Sequence, residues 1–184
     1  MIRIEAYAVI CENDCIADAN GAMPPDLKNE AEWAFFQAGL DKADIIVLGR
    51  KSHEITPNPM NRRRLVLSAQ VARAEWADER TVIWNPEGLS LQAVLEMFEG
   101  DVSTVAVTGG KRVFDYFLEH FSGYDRFHLS RMKGVYLKGG VKLFSALDAG
   151  GATPESLLTA NGYVAGAYRA LDEQASVVTW QQAH

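Results

Sequence analysis

Three short segments of the chain combine small residues, hydroxyls and cations where an apolar run ends. They are Gly49, Arg50, Lys51 and Ser52; then Leu67, Ser68, Ala69 and Gln70; then Thr108, Gly109, Gly110, Lys111 and Arg112. These residue types suit an anion. Backbone N–H groups at a helix start attract negative charge, and glycine lets a ligand approach the main chain. Arg and Lys add charge-assisted hydrogen bonds to phosphate. Taken singly, a Gly-Gly pair is an ordinary tight turn and Arg50 and Lys51 are ordinary solvated charges. Three such turns along one sheet edge suit a ligand with several phosphates. Neither common phosphate fingerprint is present: no Gly-x-Gly-x-x-Gly follows the first strand, and there is no Gly-x-x-x-x-Gly-Lys-Ser.

A second constellation follows Met23, Pro24 and Pro25. Glu30 and Trp33 are three residues apart, on nearly the same side of a helix. A carboxylate beside an aromatic ring, once desolvated, holds its proton near neutral pH and can hydrogen-bond an amidine-like ring edge. Most helix glutamates are solvated, and by residue type alone Glu30 and Glu32 both read as exposed acids. Cys11 and Cys15 are the two cysteines, four apart and with no histidine beside them, so neither a disulfide framework nor a metal site is expected.

The elements that must position these groups are legible in outline. Residues 2–11 alternate with Ile2, Ile4, Ala6, Ala8 and Ile10 on one face, a strand. Residues 13–25, rich in Asp, Asn, Gly and Pro, form a loop. A helix is expected over residues 27–39, with Asp26 as its cap and Gly39 at its end. The apolar runs 44–49, 64–68, 81–84 and 104–108 suit buried central strands. Helical spacing follows over 89–98 and 111–121, and residues 126–130 return as a strand. Alternation of strand and helix predicts a mainly parallel sheet with helices on both faces. Residues 162–171 and 174–180, around Asp172 and Glu173, read as an antiparallel hairpin at the sheet edge. No linker interrupts the chain, so residues 1–184 are expected to form one domain. In an open α/β sheet of this kind ligands bind beyond the carboxyl ends of the strands, where all three turns fall.

Composition narrows the function. With 184 residues, 48% of them hydrophobic and 23% charged, the chain can bury a core without metal or disulfide staples. The net charge of -6 opposes nucleic acid as a main partner while permitting a local basic cluster for a phosphorylated cofactor. The start of the chain lacks a cationic segment followed by a long apolar run, and no stretch of about 18 apolar residues exists, so neither a signal peptide nor a membrane span is expected. A cytoplasmic enzyme, monomer or homodimer, is the default.

Placed in order, these pieces resemble the dihydrofolate reductase family over about residues 1–145. Ile16 and Ala17 are similar to the family's Ile-Gly pair, and Met23, Pro24 and Pro25 to its Met-Pro-Trp. Glu30 stands at the family's substrate carboxylate, six residues after Pro24, with Trp33 three residues on. Gly49 to Ser52 is similar to Gly-Arg-x-Thr, and Leu67 to Gln70 to Leu-Ser-x-x. Gly109, Gly110, Lys111, Arg112, Val113 and Phe114 are similar to the Gly-Gly turn that opens a helix. Leu129 and Ser130 look like the Leu-Thr pair that supports the carboxylate; Gly139, Gly140 and Phe144 echo a later pattern.

The resemblance implies an α/β fold, dihydrofolate reductase-like, a three-layer α/β/α arrangement with a mostly parallel central sheet and an antiparallel C-terminal edge hairpin. It implies NADPH as cofactor and a small dihydropterin as substrate. Arg50, Lys51 and Ser52 would hold cofactor phosphates and Ser68, flanked by Leu67 and Ala69, would lie near the 2′-phosphate. Thr108 to Phe114 would cradle the pyrophosphate and nicotinamide side, with Ala8 and Ile16 packed near the nicotinamide. Glu30 and Ser130 would be catalytic. Trp33 would wall the substrate pocket, and Ala8, Ala31, Ala34 and Arg62 would line it. Two departures bear on substrate. The family's Trp after Met-Pro is Pro25, and its two large contacts to the aminobenzoyl ring are Ala31 and Ala34, a loss of roughly 2–4 kcal/mol of apolar burial. Arg62 matches the arginine for the glutamyl carboxylate, although with Arg63 and Arg64 it reads equally as a solvated basic loop. Reduction of dihydrofolate is the leading expectation. Dihydromethanopterin, the pyrimidine intermediate of riboflavin synthesis, and a non-catalytic nucleotide-binding role are the alternatives.

Overall fold

The structure, a computed structural model, describes residues 2–183. Its strands are β1 (Arg3–Ile10), β2 (Cys15–Ala17), β3 (Ile45–Gly49), β4 (Arg64–Leu67), β5 (Ala74–Asp78), β6 (Thr81–Trp84), β7 (Thr104–Val107), β8 (Arg126–Met132), β9 (Val141–Lys142), β10 (Tyr163–Ala170) and β11 (Ala175–Gln182). The helices are α1 (Glu30–Leu40), α2 (Arg50–Ile55), α3 (Leu91–Leu95), α4 (Lys111–Glu119) and α5 (Pro154–Ala160). A nine-stranded sheet runs in the order β10-β11-β8-β1-β7-β3-β4-β6-β5. From β8 to β6 every neighbouring pair is parallel, and β5 and the β10–β11 hairpin add antiparallel edges.

The alternation in β1 decides the layers. Ile4, Ala6, Ala8 and Ile10 enter the main core with Val113, Phe114 and Phe117 of α4, Leu91 and Val94 of α3, and Leu158 of α5. Tyr7 faces the other way, into a smaller cluster with Leu40, Ile46 and Ala106 under α1. The expected three layers are therefore α1 on one face, the sheet, and α3, α4 and α5 on the other. Phe117 is wholly buried, and truncating such a ring costs roughly 3–5 kcal/mol.

Two local readings change. The helix α1 begins at Glu30 rather than residue 27. Pro25–Leu27 forms a 3-10 turn, Lys28 and Asn29 are extended, and Asn29 is the cap in place of Asp26, its side chain accepting from the N–H of Glu32. The strands β2, β5 and β9 carry no apolar alternation long enough to mark them; β2 and β9 pair only with each other. Cys11 and Cys15 are buried free thiols, with the Cys15 N–H 3.3 Å from Cys11 Sγ. Among the described residues no helix is long and apolar enough to cross a membrane.

Candidate active site

The strands β7, β3 and β4 are neighbours, so the three glycine- and hydroxyl-bearing turns stand side by side at their carboxyl ends. The Gly49 N–H donates to the Gly109 carbonyl at 2.8 Å, and the Thr108 N–H to Val47 at 2.9 Å, joining two of the turns. Gly109 has φ +98, and a Cβ there would lie 2.5 Å from the Phe114 ring. At Gly110 a Cβ would meet nothing within 4 Å. Space therefore opens over the start of α4, which Gly110 caps with no side-chain hydrogen bond and no acidic residue in its first turn. Its first N–H groups are available to an anion.

Not every expected cofactor residue faces that space freely. Arg50 pairs with Glu54 at 2.6 Å and Lys111 with Asp148 at 2.7 Å. Val113 and Phe114 are core residues, Phe114 packing against Phe127 and Phe144. Lys51, Ala69 and Arg112 are exposed; Ser52, Leu67 and Ser68 are half-buried. Ile16 is half-buried against the main core. Ala8 points into that core, on the face opposite α1; the alternation of β1 forces this, because its neighbours Tyr7 and Val9 take the α1 side.

The burial of the two acids at the start of α1 is the reverse of that expected. Glu30, expected to be desolvated, is exposed at the first position of α1. Glu32 is buried, 7% exposed. Burial pushes its carboxyl group up to about 7, and a hydrogen bond with the Ser130 side chain only partly offsets this. Ser130, 1% exposed, sits in β8 opposite Val9 of β1. The sequence carried a signal for this arrangement: Asn29-x-x-Glu32 has the spacing of a helix cap and its third residue.

Around Glu32 the side chains sort by their position on α1. Trp33 is 55% exposed, with its ring 5.6 Å from that of Phe36. Gln37 and Asp41 continue the ridge of Trp33 at four-residue steps, and Arg62 binds both, Nη1 to Gln37 at 2.8 Å and Nη2 to Asp41 at 2.5 Å. Arg62 is thereby docked on α1 rather than free in a loop. Ala31 and Ala34, expected against the substrate ring, instead line a groove on another side of α1, with Phe35 and Ala38. The site thus brings together Glu32, Ser130, Trp33 and Phe36 at the start of α1, two of which the sequence pattern had not singled out.

A family model described as Dihydrofolate reductase matches residues 3–147. Among solved structures, a diaminohydroxyphosphoribosylaminopyrimidine deaminase/5-amino-6-(5-phosphoribosylamino)uracil reductase from Thermotoga maritima superposes with a TM-score of 0.67 at 15% identity. The match covers 99% of this chain but 57% of that one, so the chain spans little more than half of that protein. A putative riboflavin biosynthesis protein from Shewanella sp. PV-4 gives 0.67 at 17% identity, covering 100% of both chains. Dihydrofolate reductase from Enterococcus faecalis, complexed with NADP(H) and RAB-propyl, gives 0.65 at 17% identity, covering 99% and 97%. No curated protein sequence matches. At these identities the structural likenesses establish the fold.

Proposed function

The chain belongs to the dihydrofolate reductase family of oxidoreductases, and on that premise we propose that it is an NADPH-dependent reductase of a dihydropterin C=N bond, with dihydrofolate as substrate. The observation that carries the reading is the buried Glu32 with its Ser130 partner and a carboxyl group raised to about 7. Residues 1–184 are read as one domain.

The residues at the turns fit a nucleotide with phosphates: glycine where a side chain would collide, open space above Gly110, and an uncapped helix start. Lys51, Ser52, Ser68 and Arg112 would hold it, since Arg50 and Lys111 are engaged elsewhere. When bound, the cofactor supplies the hydride. When ionised, Glu32 would accept the amino and ring N–H groups of the pterin; with its carboxyl group raised to about 7, a protonated fraction near neutral pH would supply the proton that accompanies the hydride. Ser130 orients that carboxylate. Trp33 and Phe36, one and four residues after Glu32, take the place expected for Ala31 and Ala34 and restore the apolar contacts to an aminobenzoyl ring. Arg62, docked on Gln37 and Asp41 one and two turns past Trp33, would meet a trailing carboxylate with the guanidinium donors those two bonds leave free. The segment 13–25, of which Cys15–Ala17 is strand β2 paired with β9, would act as the lid.

With Trp33 and Phe36 in these roles, the site is not widened by Ala31 and Ala34 and does not favour dihydromethanopterin. The deciding experiment is NADPH consumption by the purified protein offered dihydrofolate, dihydromethanopterin and the riboflavin-pathway pyrimidine in parallel. Turnover of dihydrofolate at about 1 per second or faster is expected. Turnover of the pyrimidine alone would reassign the substrate, and NADPH binding with no turnover of any would leave a nucleotide-binding protein.

A further inference from the structure

We propose that a groove alongside α1, separate from the reductase site, is a second ligand site that takes a planar organic anion. The groove has a volume of about 610 Å3. One wall is the small-residue side of α1, with Ala31, Ala34, Ala38 and Gly39; the floor is the sheet face carrying Glu5, Tyr7 and His128. Glu32, Ser130 and Trp33 do not line it.

Its charge runs against that of the whole molecule. Arg3, Lys42, Arg126 and Arg169 line it with Glu5 as the one carboxylate, in a chain of net charge -6. Glu5 does not satisfy these cations. Its Oε2 is taken up by the Tyr7 hydroxyl at 3.1 Å and His128 Nε2 at 3.3 Å. Its Oε1 stands 4.0 Å from Arg3 and 3.8 Å from Arg126, beyond hydrogen-bond reach. Both side chains are about half exposed, at 59% and 47%. Among the described residues neither side chain donates a hydrogen bond, so their donors are left to solvent or a ligand. An anion there gains charge-assisted bonds without breaking any.

Flatness is set by the rings. Tyr7 stacks on His128 with centroids 4.5 Å apart, and Phe35 stands edge-on to His128 at 5.7 Å. The floor is locked, because His128 Nδ1 lies 2.9 Å from the Thr179 hydroxyl while Nε2 engages Glu5. Arg169 lies over Phe35 at 5.8 Å, a cation on an aromatic plane at the opposite end from Arg3. Alanine along α1 leaves room for a ring between helix and floor. Four cations against the single carboxylate of Glu5, with aromatic and methyl walls, select a planar carboxylate or phosphate ester over a neutral or cationic ligand.

The test is calorimetric titration of the full chain with 2-naphthoate, with neutral 2-naphthalenemethanol and with inorganic phosphate. Naphthoate is expected to bind about tenfold or more tighter than either of the others. Replacing Arg3 and Arg126 together by Gln, or Ala38 by Leu to fill the groove, should each weaken naphthoate about tenfold, while circular dichroism and thermal unfolding stay as in the parent. Glu32→Gln should leave naphthoate affinity unchanged, which separates this site from the reductase reading. The inference is overturned by absent naphthoate binding, by equal binding of the neutral ring or of phosphate alone, by retained affinity in both groove variants, or by a loss in Glu32→Gln.

Discussion

Gly49 and Gly109, sixty residues apart in the chain, are joined by a 2.8 Å hydrogen bond from the Gly49 N–H to the Gly109 carbonyl. The bond fixes the end of β3 against the end of β7 and sets the glycine turn at the start of α4. Gly109 and its neighbour Gly110 play different parts there. Gly109→Ala puts a Cβ into the Phe114 ring at a positive φ, so a loss of roughly 1–3 kcal/mol in urea unfolding is expected. Gly110→Ala meets open space at φ -73 and should unfold at nearly the parent urea concentration. Its methyl group intrudes where the cofactor phosphates are proposed, so NADPH affinity should drop in a fluorescence titration. Equal NADPH affinity in the parent and Gly110→Ala would remove the phosphates from this turn.

How much of this was legible depends on what each signal reports. The central strands were readable because burial on both faces demands unbroken apolar runs, as in Ile45–Gly49 and Thr104–Val107. The order of turns placed them on one edge. The face of Ala8 was equally readable, since β1 alternates; assigning it to a ligand followed the family pattern instead. The burial of Glu30 was misjudged because fixed spacing from Met23-Pro24 assumes the helix starts directly after the turn. The 3-10 turn at Pro25–Leu27 and the extended Lys28 and Asn29 delay that start, which rotates Glu30 out to solvent and Glu32 inward. Ion pairs such as Lys111 with Asp148 join residues distant in the chain, and no local pattern encodes them.

The proposed role of Glu32 in place of Glu30 has a direct kinetic consequence. Glu32→Gln should lower kcat for dihydrofolate by roughly a hundredfold or more, the usual contribution of a positioned acid, with NADPH affinity unchanged. Glu30→Gln, at an exposed position, should stay within about twofold of the parent, a surface effect within ±0.5 kcal/mol. Steady-state assays of the two variants side by side decide it. A large loss in Glu30→Gln with Glu32→Gln active would return the role to Glu30.

Arg62 gives a test of the substrate's tail. Its two bonds to Gln37 and Asp41 hold it along the ridge of Trp33. Arg62→Ala should raise KM for dihydrofolate roughly tenfold, the worth of one charge-assisted hydrogen bond, with kcat little changed. A dihydropterin lacking the glutamyl tail should be handled alike by variant and parent. If KM for dihydrofolate stays the same, Arg62 serves only to brace α1.

The raised pKa of Glu32 makes stability and activity respond to pH in a linked way. In the folded chain Glu32 keeps its proton to about pH 7, whereas the ordinary value is 4.5. Between these values the folded state binds more protons than the unfolded one. Its stability therefore falls as pH rises through that window and levels off above it, once both states are ionised. At about 1.4 kcal/mol per pH unit the burden on the parent at alkaline pH amounts to a few kcal/mol. Gln carries no charge at any pH, so Glu32→Gln should gain stability relative to the parent on going from pH 5 to pH 8. Urea unfolding of both proteins at the two pH values measures this directly. The same proton is the one proposed to reach the substrate, so kcat/KM of the parent should decline above about pH 7 while the residual rate of Glu32→Gln shows no such inflection. A stability difference that does not change with pH would mean that Glu32 ionises as a solvated carboxylate. The buried acid could not then hold a proton for the reaction at neutral pH.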